Sequence, residues 1–171
     1  MLRSDPSRTG RESASARGRE ARKQLVAWSR SPLVLLVEDD TNMRDLLAAV
    51  LWRDGCRVVE AADGESALDW LGTGSVDGDL WRVPSLIVSD ICLPLVSGLE
   101  ILAGVSRNYR RVPVILITGF GDEETHARAQ DLGADRVLDK PFALSEFRAA
   151  VASALDEHDR LRRLDGDGHV V

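Results

Sequence analysis

Five short apolar runs, each followed by an amphipathic stretch, constrain this chain more than any other feature. They are Leu33 to Val37, Arg57 to Ala61, Leu86 to Ser89, Val112 to Thr118 and Arg136 to Asp139. Runs this short, bounded by turn residues, read as buried strands rather than helices. Between and after them Met43, Leu46, Leu47, Val50 and Leu51 recur at helical spacing, as do Ile101, Leu102 and Val105, and then Phe147, Val151 and Leu155. Strands alternating with amphipathic helices imply βα units around a parallel sheet, so the expected class is α/β with five strands. Thr41, Asp63, Ser97 and Asp122 are expected N-caps, and Gly55 and Gly133 fall after two helices, where a left-handed residue is wanted. Gly72 to Pro84 holds four glycines or prolines and exceeds the roughly two to six residues of an ordinary αβ connection, so it is expected as an exposed loop.

The 171 residues, 44% of them hydrophobic, suffice for one core of ordinary domain size. Residues 1–31 hold eight Arg or Lys against three acids, and almost no large apolar side chain before Leu25. They are expected to form a disordered basic arm, with a short helix over Glu20 to Trp28 as the alternative. The remainder, with 14 cationic and 25 acidic side chains, carries −11. A body that acidic speaks against a large nucleic-acid face, which needs clustered Lys and Arg. The domain is expected over residues 32–156, with a helix extension and a fraying tail over 157–171. Cys56 and Cys92 lack CxxC spacing, which suggests neither a disulfide framework nor a zinc site. No apolar run approaches the ~20 residues of a membrane span, and no signal-peptide core follows the arginine-rich start. A cytoplasmic location is expected.

Parallel α/β sheets bind ligands beyond the carboxyl ends of their strands, so the residues where each run stops are informative. The first stops at Glu38, Asp39 and Asp40, the third at Asp90, the fourth at Thr118, and the fifth at Lys140, followed by Pro141. Carboxylates about 4 Å apart repel by roughly 4 kcal/mol per pair at an effective dielectric near 20, so three stay ionised together only around a cation. Oxygen ligands with room left for phosphate oxygens suit magnesium, with manganese as a substitute.

With these residues in place, the chain resembles the response-regulator receiver family of two-component signalling. The resemblance rests on VEDDTNMR at 37–44, SDICLPLVSG at 89–98, LITG at 116–119 and DKPF at 139–142, and spans about residues 32–156. It implies a flavodoxin-like, doubly wound sheet with strand order 2-1-3-4-5. It implies Asp90 as phosphoryl acceptor, Asp39 as a direct magnesium ligand, Glu38 acting on the ion through water, and the Cys92 backbone carbonyl as a further ligand. Thr118 and Lys140 would contact the phosphoryl oxygens, Asp40 would be a bystander, and the Lys140–Pro141 bond would be cis. The implied partners are a sensor histidine kinase or histidine phosphotransfer protein and a downstream target, with the chain a monomer or a phosphorylation-dependent dimer. With no DNA-binding segment after residue 156, the expectation is a stand-alone phosphorelay or switching protein that is a phospho-acceptor rather than an enzyme.

Two departures from the family stand out. Three positions before Lys140, where an aromatic residue is usual, the chain has Val137, so output would either rest on backbone motion of the loop at 118–122, loosened by Gly119 and Gly121, or be weaker. Cys92 and Phe120 would shield an acyl phosphate from water and slow its loss. His126, His158 and His169 lack metal-ligand spacing and read as solvated surface, and Trp52 and Trp70 read as covering the core edge. Two other functions compete: an unphosphorylated binding scaffold, and an aspartyl-phosphate phosphatase of haloacid dehalogenase type. The latter would want a second acid at position 92.

Overall fold

A computed structural model describes residues 31–76, 83–108, 112–119 and 121–166. The order is β1 (Leu33–Val37), α1 (Thr41–Arg53), β2 (Arg57–Ala61), α2 (Gly64–Val76), β3 (Leu86–Asp90), α3 (Gly98–Asn108), β4 (Val114–Thr118), α4 (Glu123–Asp131), β5 (Arg136–Asp139) and α5 (Leu144–Gly166). The strands form one sheet in the order β2-β1-β3-β4-β5, and every pairing is parallel. Both the class and the strand order are as expected.

The alternation of side chains along each strand divides the apolar residues between two layers. Val34, Leu36, Leu86, Val88, Ile115, Ile117 and Leu138 pack on one face with Leu47 and Leu51 of α1 and Phe147 and Val151 of α5. Leu35, Val37, Ile87, Val114 and Leu116 pack on the other with Ala67 and Leu71 of α2, Ile101, Leu102 and Val105 of α3, and Ala129 of α4. Because β1, β3 and β4 are buried along their whole length, they read as apolar runs rather than alternating ones, up to the buried polar residues Ser89 and Asp90 that end β3 and Thr118 that ends β4. The edge strands β2 and β5 expose residues, and there the charged Arg57, Glu60, Arg136 and Asp139 are accommodated.

Several local expectations need correction. Asp40, not Thr41, caps α1: its carboxylate accepts from the Met43 N–H at 2.7 Å, the stronger charge-assisted bond. Asp63, Ser97 and Asp122 do accept the expected bonds, from the N–H groups of Ser66, Glu100 and Thr125. Gly55 and Gly133 take positive φ, 86° and 90°. β4 begins at Val114 rather than Val112, since Pro113 has no N–H for the ladder, although its carbonyl accepts from Ile87. The helical path of α2 continues through Gly72 to Val76, which takes these residues out of the expected loop, while its residues 77–82 lie outside the described residues. Ala67 and Leu71 anchor that helix, and a glycine costs it only about 1 kcal/mol. The basic arm, with its candidate helix at Glu20 to Trp28, and His169 and Phe120 lie outside the described residues.

Candidate functional site

The sheet delivers its polar residues to one edge because the three central strands run parallel and end together. One residue past β1, the Glu38 N–H continues the ladder to Ala61 O at 3.1 Å, which leaves the Glu38 carboxylate buried beneath the edge while Asp39 and Asp40 reach solvent. Asp90, the last residue of β3, is only 5% exposed, and its Oδ1 accepts from the Cys92 N–H at 2.6 Å. Thr118 closes β4 in register with Asp139 and is fully buried. The Lys140 N–H donates to Thr118 O at 2.7 Å, and the Lys140–Pro141 peptide is cis, as expected.

These placements let the Lys140 ammonium reach across two strands. Its Nζ donates to Asp90 Oδ2 at 2.5 Å and to both Glu38 oxygens at 2.9 and 3.1 Å. Burial pushes the Glu38 carboxyl above its ordinary value and the neighbouring Asp90 charge adds to this, against the opposing pull of Lys140. For Lys140, burial works against the charge, but its bonds to Asp90 and Glu38 outweigh it and hold the ammonium above its ordinary value. Lys140 is therefore fully charged at neutral pH and is the protein's own counter-ion for the two buried acids.

Glu38, Asp39 and Asp90 each offer a carboxylate oxygen, and these three atoms lie within 4.8 Å of one another. An all-oxygen, multiply anionic donor set, with Glu38 and Asp90 buried and Asp39 open to solvent, suits a small hard divalent cation that keeps waters of its own. The structure thus brings Glu38, Asp39, Asp90 and Lys140 together by side chain, with the Cys92 N–H bonded to Asp90 and Thr118 at the adjoining strand end.

Three features of the surroundings were missed. Arg44 of α1 turns back to the carbonyls of Glu38 and Asp39, a contact whose trace in sequence is only an arginine one helical turn after Asp40. His126 is not simply solvated: its Nε2 lies 2.8 Å from Asp139 Oδ1, joining α4 to β5 one residue before Lys140. Gly121 is closely enclosed rather than merely free, because a Cβ there would collide with Asp139 Oδ1, His126 Nε2 and the Thr118 methyl. Elsewhere, His158 is buried within α5, whereas Trp52 is 56% exposed and covers no core edge. Cys92 is an exposed free thiol.

Comparison with known proteins agrees with this geometry. The response regulator receiver domain family matches residues 34–152. Among curated proteins, the chain is 34% identical over 130 residues to the alkaline phosphatase synthesis transcriptional regulatory protein SphR of Synechococcus elongatus, covering 75% of this chain and 51% of that one. It is 33% identical over 124 residues to the phosphate regulon transcriptional regulatory protein PhoB of Escherichia coli, covering 71% and 51%. The chain thus spans about half the length of these relatives. Among solved structures, the signal receiver domain of an HD domain-containing protein from Pseudomonas fluorescens aligns with TM-score 0.68 and 28% identity, over 77% of this chain and 99% of that one. A BeF3-activated DrrB receiver domain aligns with TM-score 0.64 and 26% identity, over 74% and 98%. Strand order, the residues at the strand ends and these matches agree: the chain belongs to the response regulator receiver domain family of two-component signalling.

Proposed function

We propose that this receiver domain accepts a phosphoryl group on Asp90 from a phosphohistidine donor, with Glu38, Asp39, Asp90 and the Cys92 carbonyl holding magnesium. The single observation that carries the reading is the position of Lys140 Nζ, within hydrogen-bond distance of both Asp90 and Glu38 at the end of the parallel sheet. A carboxylate attacks phosphorus through its own oxygen and needs no general base. Lys140, a compact point charge, then follows the developing negative charge onto the phosphoryl oxygens, while the Cys92 N–H holds the other Asp90 oxygen in place. The Thr118 hydroxyl, at the adjoining strand end, accommodates a phosphoryl oxygen once the acyl phosphate has formed. A bound divalent cation supplies charge neutralisation for the transferring group and relieves repulsion among the three carboxylates.

The same reading takes a sensor histidine kinase or histidine phosphotransfer protein as donor. It assigns residues 32–156 to the receiver proper, 1–31 to a disordered basic arm and 157–171 to an extension of the last helix and a frayed tail. Output passes by docking on a target protein in the cytoplasm, and the net acidity of residues 32–171 speaks against these residues themselves contacting nucleic acid. No described helix is long and apolar enough to cross a membrane. Incubation of the full chain with acetyl phosphate and magnesium tests the proposal by intact mass. One phosphoryl group per chain, with no turnover of a generic phosphomonoester, is expected. Sustained turnover would mark a phosphatase instead, and an unmodified chain would mark a binding scaffold.

A further inference from the structure

Successive side chains of an extended strand point to opposite sides, yet Glu38 and Asp39 both bring a carboxylate oxygen to within 4.8 Å of Asp90. The chain must therefore turn out of the strand immediately after Glu38, and the carbonyls at that turn need new partners. Arg44 supplies them from the first turn of α1. Its Nη1 donates to Glu38 O at 2.7 Å and approaches Asp39 O at 3.5 Å, and its Nη2 donates to Thr41 Oγ1 at 3.4 Å. Its Nε lies 3.7 Å from Glu60 Oε2 on the neighbouring strand β2, and the Arg44 side chain is only 15% exposed.

We infer that Arg44, backed by Glu60, is a positioning residue that sets the turn on which the cation-binding carboxylates are presented. This rests on the magnesium-dependent reading above. Arg44 donates to none of the three carboxylates of the cluster and acts through the backbone that carries Glu38 and Asp39. The planar guanidinium can take carbonyls on one side and an acid on the other, which a lysine's point charge cannot do in a fixed geometry. Glu60 has a second consequence: it offsets the guanidinium charge, so that the clamp orders the acidic turn without adding net positive charge beside a cation site. Groups that orient metal ligands from behind typically contribute roughly 10- to 100-fold in affinity.

Calorimetric titration of magnesium into the full-length wild type, Arg44→Met, Arg44→Lys and Glu60→Gln tests the inference. Thermal midpoints in chelator and amide shifts of Asp39 and Asp40 in metal-free protein are read alongside. Arg44→Met is expected to bind magnesium roughly tenfold or more weakly, with displaced Asp39 and Asp40 amide signals before any metal is added. Arg44→Lys is expected to recover part of the affinity, and Glu60→Gln to show a smaller loss in the same direction. Should Arg44→Met not fold, the Lys and Glu60→Gln variants decide the matter by the same readouts. A lowered thermal midpoint with unchanged magnesium affinity would make Arg44 merely structural and overturn the inference alone. A wild type that takes up no magnesium would overturn the reading on which it rests.

Discussion

Lys140 Nζ donates to Asp90 Oδ2 at 2.5 Å, a contact between residues 50 positions apart that places a permanent positive charge on the candidate acceptor. The same ammonium holds buried Glu38, so that two acids share one counter-charge.

Removing that ammonium has a double effect. In chelator, Lys140→Met leaves Glu38 and Asp90 without counter-charge and is expected to lose on the order of 2–3 kcal/mol, discounted from the deeply buried case because Lys140 is 23% exposed. Magnesium should restore most of that stability, yet labelling should still slow by roughly a hundredfold or more, since a positioned donor to the transferring group is gone. Urea denaturation with and without magnesium, together with labelling rates, checks both halves.

Glu38 gives the metal-free protein a distinct pH dependence. Its carboxyl titrates above 4.5 in the folded chain, chiefly because it is buried, so the folded state holds more protons than the unfolded state from about pH 4.5 up to the raised value. Stability should therefore fall as pH rises through that window, and ionised Glu38 should be unfavourable at neutral pH. Glu38→Gln is expected to melt higher than wild type at pH 7 in chelator, to lose that advantage near pH 4, and to bind magnesium poorly. A pH series of melting curves would reveal it.

The pair of Asp54 and Arg148 behaves in the opposite sense. Arg148 donates to both Asp54 oxygens at 2.7 Å, tying the end of α1 to α5, and holds the Asp54 carboxyl below its ordinary 3.8. The contribution is fully present above pH 3.8 and is lost as pH falls through the depressed folded value. Arg148→Gln should thus lower the thermal midpoint at pH 7 and cease to differ from wild type once Asp54 is protonated. Both groups are exposed, so added salt should shrink the neutral-pH difference.

Gly121 is tightly surrounded, and even one methyl group should be felt there. Gly121→Ala brings a Cβ against Asp139, His126 and Thr118, and overpacking of this kind costs about 1–3 kcal/mol. The strain should be partly relieved in a Gly121→Ala, His126→Ala double variant, whose stability would exceed the sum of the single effects. Chemical denaturation of the four members of the cycle measures the coupling.

Much of this molecule is legible in its residues because burial dictates sequence directly. β1, β3 and β4 lie between two layers of helices and so read as unbroken Leu, Ile and Val, and the polar residue ending each run marks the edge where chemistry is gathered. What escaped were contacts made across elements by side chains with ordinary local roles. Arg44 reads as one more helix-surface arginine until the turn after Glu38 exposes carbonyls to it. His126 has no spacing signal, since its partner Asp139 is supplied by the next strand. Gly121 looks like a flexible loop residue because only the folded chain brings three groups around it. Pro113 shortened β4 through a missing donor, whereas the glycines of α2 did not end that helix because Leu71 had already fixed it to the sheet.

The most direct test of the central claim compares labelling of wild type and Asp90→Asn by acetyl phosphate, each with magnesium and with excess chelator, and maps the modified residue by mass spectrometry. Modification of wild type at Asp90 alone, lost in the variant and lost on chelation, is the expected result. An Asp90→Asn chain labelled as fully as its parent, or labelling indifferent to chelation, would contradict it.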